Sequence, residues 1–216
     1  MKTIVRNHRK SALALVDMLI VVATLVVAVS FLFIYARRPR RSAAIRISCV
    51  NHLKQVGLAF RIYAGDNRDR FPMNISTNDE TVVNEATPVY RYFKLTENEL
   101  GTPRVVICPE DKKRKVANNF TNFGNGNVSY FIGLDANENL PQTMVAGDRN
   151  ITNGFSPKRS ILELTTNQPA GFTDEIHMKQ GNVALGDGSV QQVSSARLRS
   201  EIIRNTGFAT NRILLP

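Results

Sequence analysis

The sequence predicts an α+β protein in which one long N-terminal helix precedes a small, mainly antiparallel β-sheet head. Three observations predict this: an apolar run over residues 13–36, an apolar stripe at helical spacing within residues 37–64, and short β-branched runs with turn signals in residues 65–216. We therefore divide the chain into a basic N-terminal segment (1–12), a membrane helix (13–36), an amphipathic stalk helix (37–64) and a head (65–216).

The run over residues 13–36 consists almost wholly of Leu, Val, Ile, Ala, Phe and Met. At about 1.5 Å per residue, a helix of this length crosses a bilayer core of about 30 Å. Its one charged residue is Asp17, near the start of the run. Because a carboxylate costs roughly 2.5–3.5 kcal/mol at the centre of a membrane helix and less near its end, an acid here indicates a function.

Basic residues crowd both ends of this run, and the chain has a net charge of +10. Charges in these positions set membrane topology and contact lipid headgroups, so the basic composition does not indicate nucleic-acid binding. The flanking residues are Lys2, Arg6, Arg9 and Lys10 before the run and Arg37, Arg38, Arg40, Arg41 and Arg46 after it.

The stalk is predicted from apolar residues that recur at helical spacing with polar residues between them, which is typical of a helix face packed on a head. Pro39 removes one helical hydrogen bond, so we expect a bend or a local unwinding there. Gly65-Asp66-Asn67 ends the helix. The stripe comprises Ile47, Val50, Leu53, Val56, Gly57, Phe60, Tyr63 and Ala64.

In the head, strand candidates lie at 104–111 (RVVICPED), 127–134 (NVSYFIGL) and 143–148 (TMVAGD). The segment 182–193 (NVALGDGSVQQV) predicts a hairpin with Asp187-Gly188 as a two-residue turn. We expect Ser195 to cap a last helix that carries Leu198, Ile202 and Ile203 and ends at Gly207.

Cys49 and Cys108 both follow the membrane run. If that side is extracytoplasmic, they can form a disulfide, the one pairing that two cysteines allow; the alternative is two buried free thiols. Their spacing is not that of a CxxC motif, and the three histidines are scattered, so the sequence predicts no zinc or redox motif.

His177 and Asp187 would lie near opposite ends of a predicted strand that rises about 3.3 Å per residue. Because catalytic partners must approach within about 3 Å, we do not expect these two to share a site. We expect His177 to anchor a loop through a side-chain hydrogen bond and Asp187 to shape the turn. The chain has no nucleophile elbow and no phosphate loop, so no enzyme is predicted.

Asp135, Asn137 and Asn139 place oxygen ligands at alternating positions, as at the start of a calcium loop. Leu140 and Ala146 stand where an EF-hand needs glycine and glutamate, which excludes that motif. A looser calcium site that includes Asp148 is the alternative to an ordinary Asn/Asp-rich turn. We expect no other metal or cofactor.

The N-terminus admits three interpretations: a signal anchor, a secretory signal cleaved after Ala28-Val29-Ser30, and a prepilin-type signal. The segment RKSALALVDMLIVVATLVV resembles the N-terminal signal of type IV pilins and type II secretion pseudopilins. The resemblance implies that prepilin peptidase removes a leader of residues 1–12 by cutting after Ala12, and that Leu13 is then methylated. It also implies that Asp17, the fifth mature residue, pairs with a neighbouring subunit's N-terminal amine. Ala12 and Asp17 replace the usual glycine and glutamate of these families.

The segment HMKQGNVALGDGSV has nine residues between His177 and Asp187-Gly188 and resembles the H-x9-DG element of a large group of pilin-like proteins. Four other segments fit the same group: ISCVNHLKQVGLAFRIYAGDNRDRFP, VVICPED, VSYFIG and VAGDRN.

Together the resemblances imply a pilin-like fold and a structural subunit in the cytoplasmic (inner) membrane, with its head outside the cytoplasm. Its partners would be like subunits in a filament and an inner-membrane assembly platform. The alternatives are a membrane-tethered or filament-tip binding module for DNA, polysaccharide or a secreted ligand, and a membrane-anchored enzyme.

Overall fold

The computed structural model describes residues 4–75 and 87–216, with side chains given from residue 15 onward except at 35–43. The chain divides into two compact units, Met1–Ala44 and Ile45–Pro216. Helix α1 runs from Ile4 to Asp66 and so contributes to both units. The predicted local unwinding at Pro39 is wrong, because the helix is uninterrupted there.

In the first unit, Leu15–Ile34 is a 20-residue stretch of α1 that is long and apolar enough to cross a membrane. None of its side chains is buried within the chain. At about 1.5 Å per residue it is as long as a bilayer core is thick. The structure therefore has the apolar N-terminal helix that the sequence predicts.

In the second unit, the last turns of α1 form one wall of the main core, with Leu53, Val56, Phe60 and Ala64 wholly buried. The prediction for Ile47 is wrong, since its side chain is 62% exposed. At 3.6 residues per turn, Ile47 lies about 120° around the helix from Leu53, away from the packed face. As predicted, α1 ends at Asp66.

The sheet of the head has six strands: β1 (Tyr130–Gly133), β2 (Met144–Asp148), β4 (Ile161–Thr165), β6 (Gln180–Leu185), β7 (Val190–Ser194) and β8 (Thr210–Leu214). A separate pair consists of β3 (Ile151–Thr152) and β5 (Gly171–Phe172). The six strands are all paired antiparallel, in the order β4-β8-β1-β2-β6-β7, so the C-terminal strand β8 lies inside the sheet, between β4 and β1. The predicted α+β class and antiparallel sheet are confirmed.

Both faces of this sheet are covered, because side chains alternate between two apolar clusters. Tyr130 and Ile132 of β1 join the cluster that contains α1, while Phe131 joins a second cluster with Leu198 and Ile203 of the C-terminal helical segment. The short helices α2 (Val89–Leu95) and α3 (Glu97–Leu100) precede the sheet; Val89, Tyr92, Phe93 and Leu100 from them enter the first cluster.

The strand candidates at 127–134 and 143–148 are confirmed as β1 and β2, and the hairpin is confirmed as β6–β7. The prediction of a strand at 104–111 is wrong. Its first residues form a 3-10 turn, Pro103–Val106, in which Thr102 Oγ1 accepts from the Arg104 N–H at 3.4 Å. The fixed φ of Pro103 and this cap favour a turn. The β-branched residues Val105 and Val106 are buried in the turn instead of in a strand.

The hairpin loop has three residues, Gly186-Asp187-Gly188, and not two. Leu185 N donates to Ser189 O at 2.9 Å, and Gly188 N donates to Leu185 O at 2.9 Å. Gly188 has φ +83°, the left-handed conformation that closes three-residue hairpin loops.

The C-terminal helical segment consists of α4 (Ser195–Arg197), a π-helical stretch (Leu198–Ile202) and α5 (Ile203–Asn205). Ser194 caps it by accepting from the Arg197 N–H, so the expected cap at Ser195 is wrong. Ser195 Oγ instead accepts from Phe172 N at 2.9 Å. The segment ends at Asn205, before Gly207.

Candidate functional site

The structure contains the disulfide that the sequence allowed, between Cys49 on α1 and Cys108 in the loop that follows the 3-10 turn. The Cα atoms are 5.1 Å apart, within the range that a disulfide can bridge. Both cysteines are completely buried. The alternative of two free thiols does not apply to this structure.

His177 packs directly on this disulfide from the loop between β5 and β6. Its Nε2 lies 3.2 Å from Cys108 Sγ, and its residue exposure is only 4%. A disulfide sulfur carries no hydrogen, so the imidazole donates from Nε2. His177 therefore anchors its loop through a side-chain contact, the role expected from the sequence. Burial lowers the pKa of His177, which favours its neutral form.

The backbone that presents this ring is unusual, because His177, Met178 and Lys179 have φ values of +56°, +51° and +60°. Each such non-glycine residue costs roughly 1–2 kcal/mol. The buried Asn150 amide holds the loop by donating to Thr173 O at 2.9 Å and to Ile176 O at 2.7 Å. The ring position is thus fixed by its surroundings.

Asp148, the last residue of β2, is fully buried beside His177, with Oδ2 3.7 Å from Nε2. The same oxygen accepts from Asn182 N at 2.7 Å and Asn182 Nδ2 at 2.8 Å. Burial raises the pKa of Asp148 to about 7, although the two Asn182 hydrogen bonds oppose this rise. Burial also raises the pKa of Tyr130, which pairs with Asp148 in the β1–β2 register.

An ion-pair network ties the loop after Cys108 to the loop before His177. Arg149 donates to both carboxylate oxygens of Asp111 at 2.7 and 2.8 Å, and to Glu175 at 2.7 Å. The hydrogen bond from Arg149, together with one from Lys113, holds the pKa of Glu175 down to about 2. Because an arginine bound to both oxygens of a carboxylate has a fixed geometry, the network fixes the positions of the two loops relative to each other.

Asp187 and Gly188 form the hairpin turn, and their partners are separate from those of His177. Asp187 Oδ1 accepts from Ser189 N at 2.8 Å, and its carbonyl accepts from Arg61 Nη1 at 2.9 Å. His177 and Asp187 thus have the two distinct structural roles expected from the sequence.

The side chains of Asp135 and Asn137, two of the calcium candidates, accept hydrogen bonds from other groups. The Asp135 carboxylate accepts from Arg212 N, Nε and Nη2 at 2.6, 3.0 and 2.7 Å, and Asn137 Oδ1 accepts from Asn139 N at 2.9 Å. Strand β1 separates Asp135 from the Tyr130–Asp148 pair by on the order of 10 Å. Asp148 therefore does not join the Asp135 loop.

Among the residues implicated in processing and assembly, Asp17 lies on the exposed surface of the apolar stretch of α1. The side chains of Ala12 and Leu13 lie outside the described residues. Comparison with protein-family models, curated proteins and solved structures yields no match for this chain.

The cluster of Cys49, Cys108, His177, Asp148 and Asn182 was not predicted as a unit. These residues come from α1, two loops and two strands, so only tertiary packing brings them together. His177 was considered for a loop contact and Asp148 for a calcium site, and no sequence pattern indicated that these two residues are in contact. Since all five residues are buried, the cluster fixes the head to α1 and is closed to a substrate in this conformation.

Proposed function

We propose that the chain is a pilin-like or pseudopilin-like structural subunit of a type II secretion or type IV pilus-like machine. One observation supports this most directly: a 20-residue apolar stretch of α1 has exposed side chains and carries one charge, Asp17, near its start. Such a stretch needs lipid or neighbouring helices as its surroundings.

Asp17 needs a positive partner to lie in lipid at low cost. Cleavage after Ala12 would create an amine on Leu13, four residues or about one helical turn before Asp17. Within a filament, the carboxylate of one subunit would pair with the amine of its neighbour and so set the axial register of the two helices. Prepilin peptidase, like subunits and an inner-membrane assembly platform are the partners in this proposal.

The head supports an extracytoplasmic location, because disulfides persist mainly in oxidising compartments. The Cys49–Cys108 bond joins the head to the same helix that carries the apolar stretch. In this proposal, a force applied along the helices is therefore passed to the head through a covalent link as well as through packing.

The proposal is tested by replacing Asp17 and measuring cross-linking between subunits in membranes. Asp17→Asn is expected to insert and to be cleaved normally but to cross-link at least about tenfold less, because a buried ammonium that loses its partner costs roughly 3–5 kcal/mol. Asp17→Glu is expected to restore cross-linking, since the family's usual residue is glutamate.

The matched control is Asp66→Asn, which neutralises an exposed acid at the other end of the same helix and is expected to leave cross-linking unchanged. If the wild type, Asp17→Asn and Asp17→Glu all cross-link equally, Asp17 has no role in assembly and the proposal fails.

A second candidate function, a membrane-tethered binding module, is favoured by a cavity of about 680 Å³ on the head. Its lining includes Phe155, which is 66% exposed, together with Lys158 and Arg159. An exposed aromatic side chain that lines the same cavity as two basic residues suits an acidic polysaccharide. Retention of the detergent-solubilised chain on such a polysaccharide, and its loss in Phe155→Ala, would favour this candidate; no retention would argue against it.

A further inference from the structure

We propose that Cys49, Cys108 and His177 form a zinc site when the two cysteines are reduced. The disulfide and the zinc-bound dithiolate would then be two alternative ways of fastening the head to α1. The inference concerns only the head cluster and does not depend on the function proposed above.

The geometry fits a metal ion, because one donor atom from each of the three residues lies within 4.8 Å of the other two. Tetrahedral zinc with bonds of about 2.3 Å to sulfur and 2.0–2.1 Å to nitrogen spaces its ligand atoms by about 3.3–3.8 Å. His177 Nε2 already lies 3.2 Å from Cys108 Sγ. Once the S–S bond is broken, the sulfurs need to separate by only one or two ångströms, roughly the movement that side-chain rotation supplies.

The donor set selects the type of ion. Two thiolates and an imidazole bind zinc and other soft or borderline cations, whereas calcium and magnesium prefer oxygen. Two thiolates also cancel the charge of a divalent cation, so the buried site carries no net charge from its first three ligands.

An unpaired polar atom beside the cluster supports a ligand there. Asp148 Oδ1 is buried without a hydrogen-bond partner among the described residues. Asp148 is fully buried and its Oδ2 lies 3.7 Å from His177 Nε2, which places a carboxylate beside the imidazole. It would supply a negative charge close to the metal.

The chemical steps balance. A dithiol or phosphine reductant gives two electrons to the Cys49–Cys108 bond, which yields two thiols. Zinc binding releases the two thiol protons, since the thiolate is the ligand form. An oxidised thiol–disulfide oxidoreductase can later take two electrons from the two thiolates and become a dithiol itself. This restores the Cys49–Cys108 bond and frees the zinc ion.

The test uses the full chain in detergent, reduced with a phosphine, freed of metal with a chelator and kept anaerobic. We expect one Co²⁺ per chain, with thiolate-to-cobalt charge-transfer absorption that disappears when Zn²⁺ displaces the cobalt. We expect no such absorption from the disulfide form. A reduced wild-type chain without this absorption would overturn the proposal.

Variants then test the third ligand. In competition with a chelator, His177→Gln is expected to weaken Zn²⁺ binding by at least about tenfold. Even the substitution of a residue that only hydrogen-bonds to a metal ligand weakens metal binding by about that much, so the loss of a ligand is expected to cost no less. His52→Gln is the matched control, because its ring Nδ1 lies 2.8 Å from Ile107 O and His52 does not belong to the three-residue cluster. Zinc binding by His177→Gln equal to that of the wild type would exclude His177 as a ligand.

A cooperative denaturant titration of oxidised His177→Gln shows whether the variant has folded. If it does not fold, the cobalt spectrum of the reduced wild type decides alone.

Discussion

Two parts of helix α1 carry apolar side chains with opposite surroundings. In Leu15–Ile34 the apolar residues run almost without interruption and none is buried by the chain. Between Cys49 and Ala64 polar residues interrupt them at helical spacing, and one face is completely buried. A continuous apolar run therefore indicates a surface for lipid or neighbouring helices, whereas apolar residues at helical spacing indicate a surface for the protein's own core.

The two parts also differ in how their charged residues are satisfied. In or next to the packed part of α1, Arg46 Nη1 donates to Gln180 Oε1 and Arg61 Nη1 donates to Asp187 O, both at 2.9 Å. Asp17 lies on the exposed surface of the apolar stretch. In the proposed function, the partner of Asp17 is the N-terminal amine of another subunit. A carboxylate that has no positive partner in an isolated helix then forms an ion pair within the assembly.

The largest effect expected within α1 comes from Phe60→Ala. Phe60 is wholly buried and its ring centroid lies 5.6 Å from that of Phe93, so truncation leaves a cavity. We expect the free energy of unfolding of the head to fall by about 3–5 kcal/mol. Denaturant titration of the detergent-solubilised chain, followed by tyrosine fluorescence, measures it.

Leu58→Ala is the control for that variant, since Leu58 lies two residues away and is 58% exposed. We expect a change within about 0.5 kcal/mol. Similar losses from both variants would mean that this part of α1 does not have one packed and one open face.

The second effect is that of the disulfide. Cys49→Ser with Cys108→Ser removes a cross-link across 59 residues of sequence separation. We expect the unfolding free energy to fall by about 2–4 kcal/mol, because the unfolded chain gains loop entropy. The measurement is the same titration, on metal-free protein, with the phosphine-reduced wild type expected to match the double variant. An unchanged midpoint would mean that packing alone holds the head to α1.

The smallest effect is that of Gly57→Ala, on the packed face of α1. A Cβ there would lie 3.9 Å from Ala184 Cβ, an ordinary contact, and alanine favours helix over glycine. We expect a gain of about 0.5–1 kcal/mol in the same titration. A loss would show that the helix and the sheet are packed too closely for a methyl group.

The sequence predicted the elements that depend on local pattern. The apolar stretch, the end of α1 at Asp66, the strands β1 and β2 and the β6–β7 hairpin all follow from run length, periodicity and turn residues. It failed where two local signals compete. The valines at 105 and 106 favour a strand, but Pro103 and the Thr102 cap impose a 3-10 turn. Ile47 is apolar like the other residues of the helical stripe, but it points to a different side of the helix.

The candidate site was predictable only in part. Two cysteines allow one pairing, so the disulfide could be anticipated, and His177 was expected to anchor a loop. The contact between His177 and Cys108 joins residues 69 positions apart, and Asp148 reaches the same place from β2. No local pattern encodes such contacts, because they depend on the sheet order and on the left-handed loop at 177–179.

The proposal that Leu15–Ile34 belongs to an assembly helix is tested most directly by identifying the residue at which the mature chain begins. Mass spectrometry of the protein extracted from membranes of cells that contain prepilin peptidase determines this end and its modification in one spectrum. We expect a chain that starts at Leu13 with a methylated amine. A chain that retains Met1, or one that starts near Phe31, would contradict the pilin-like function.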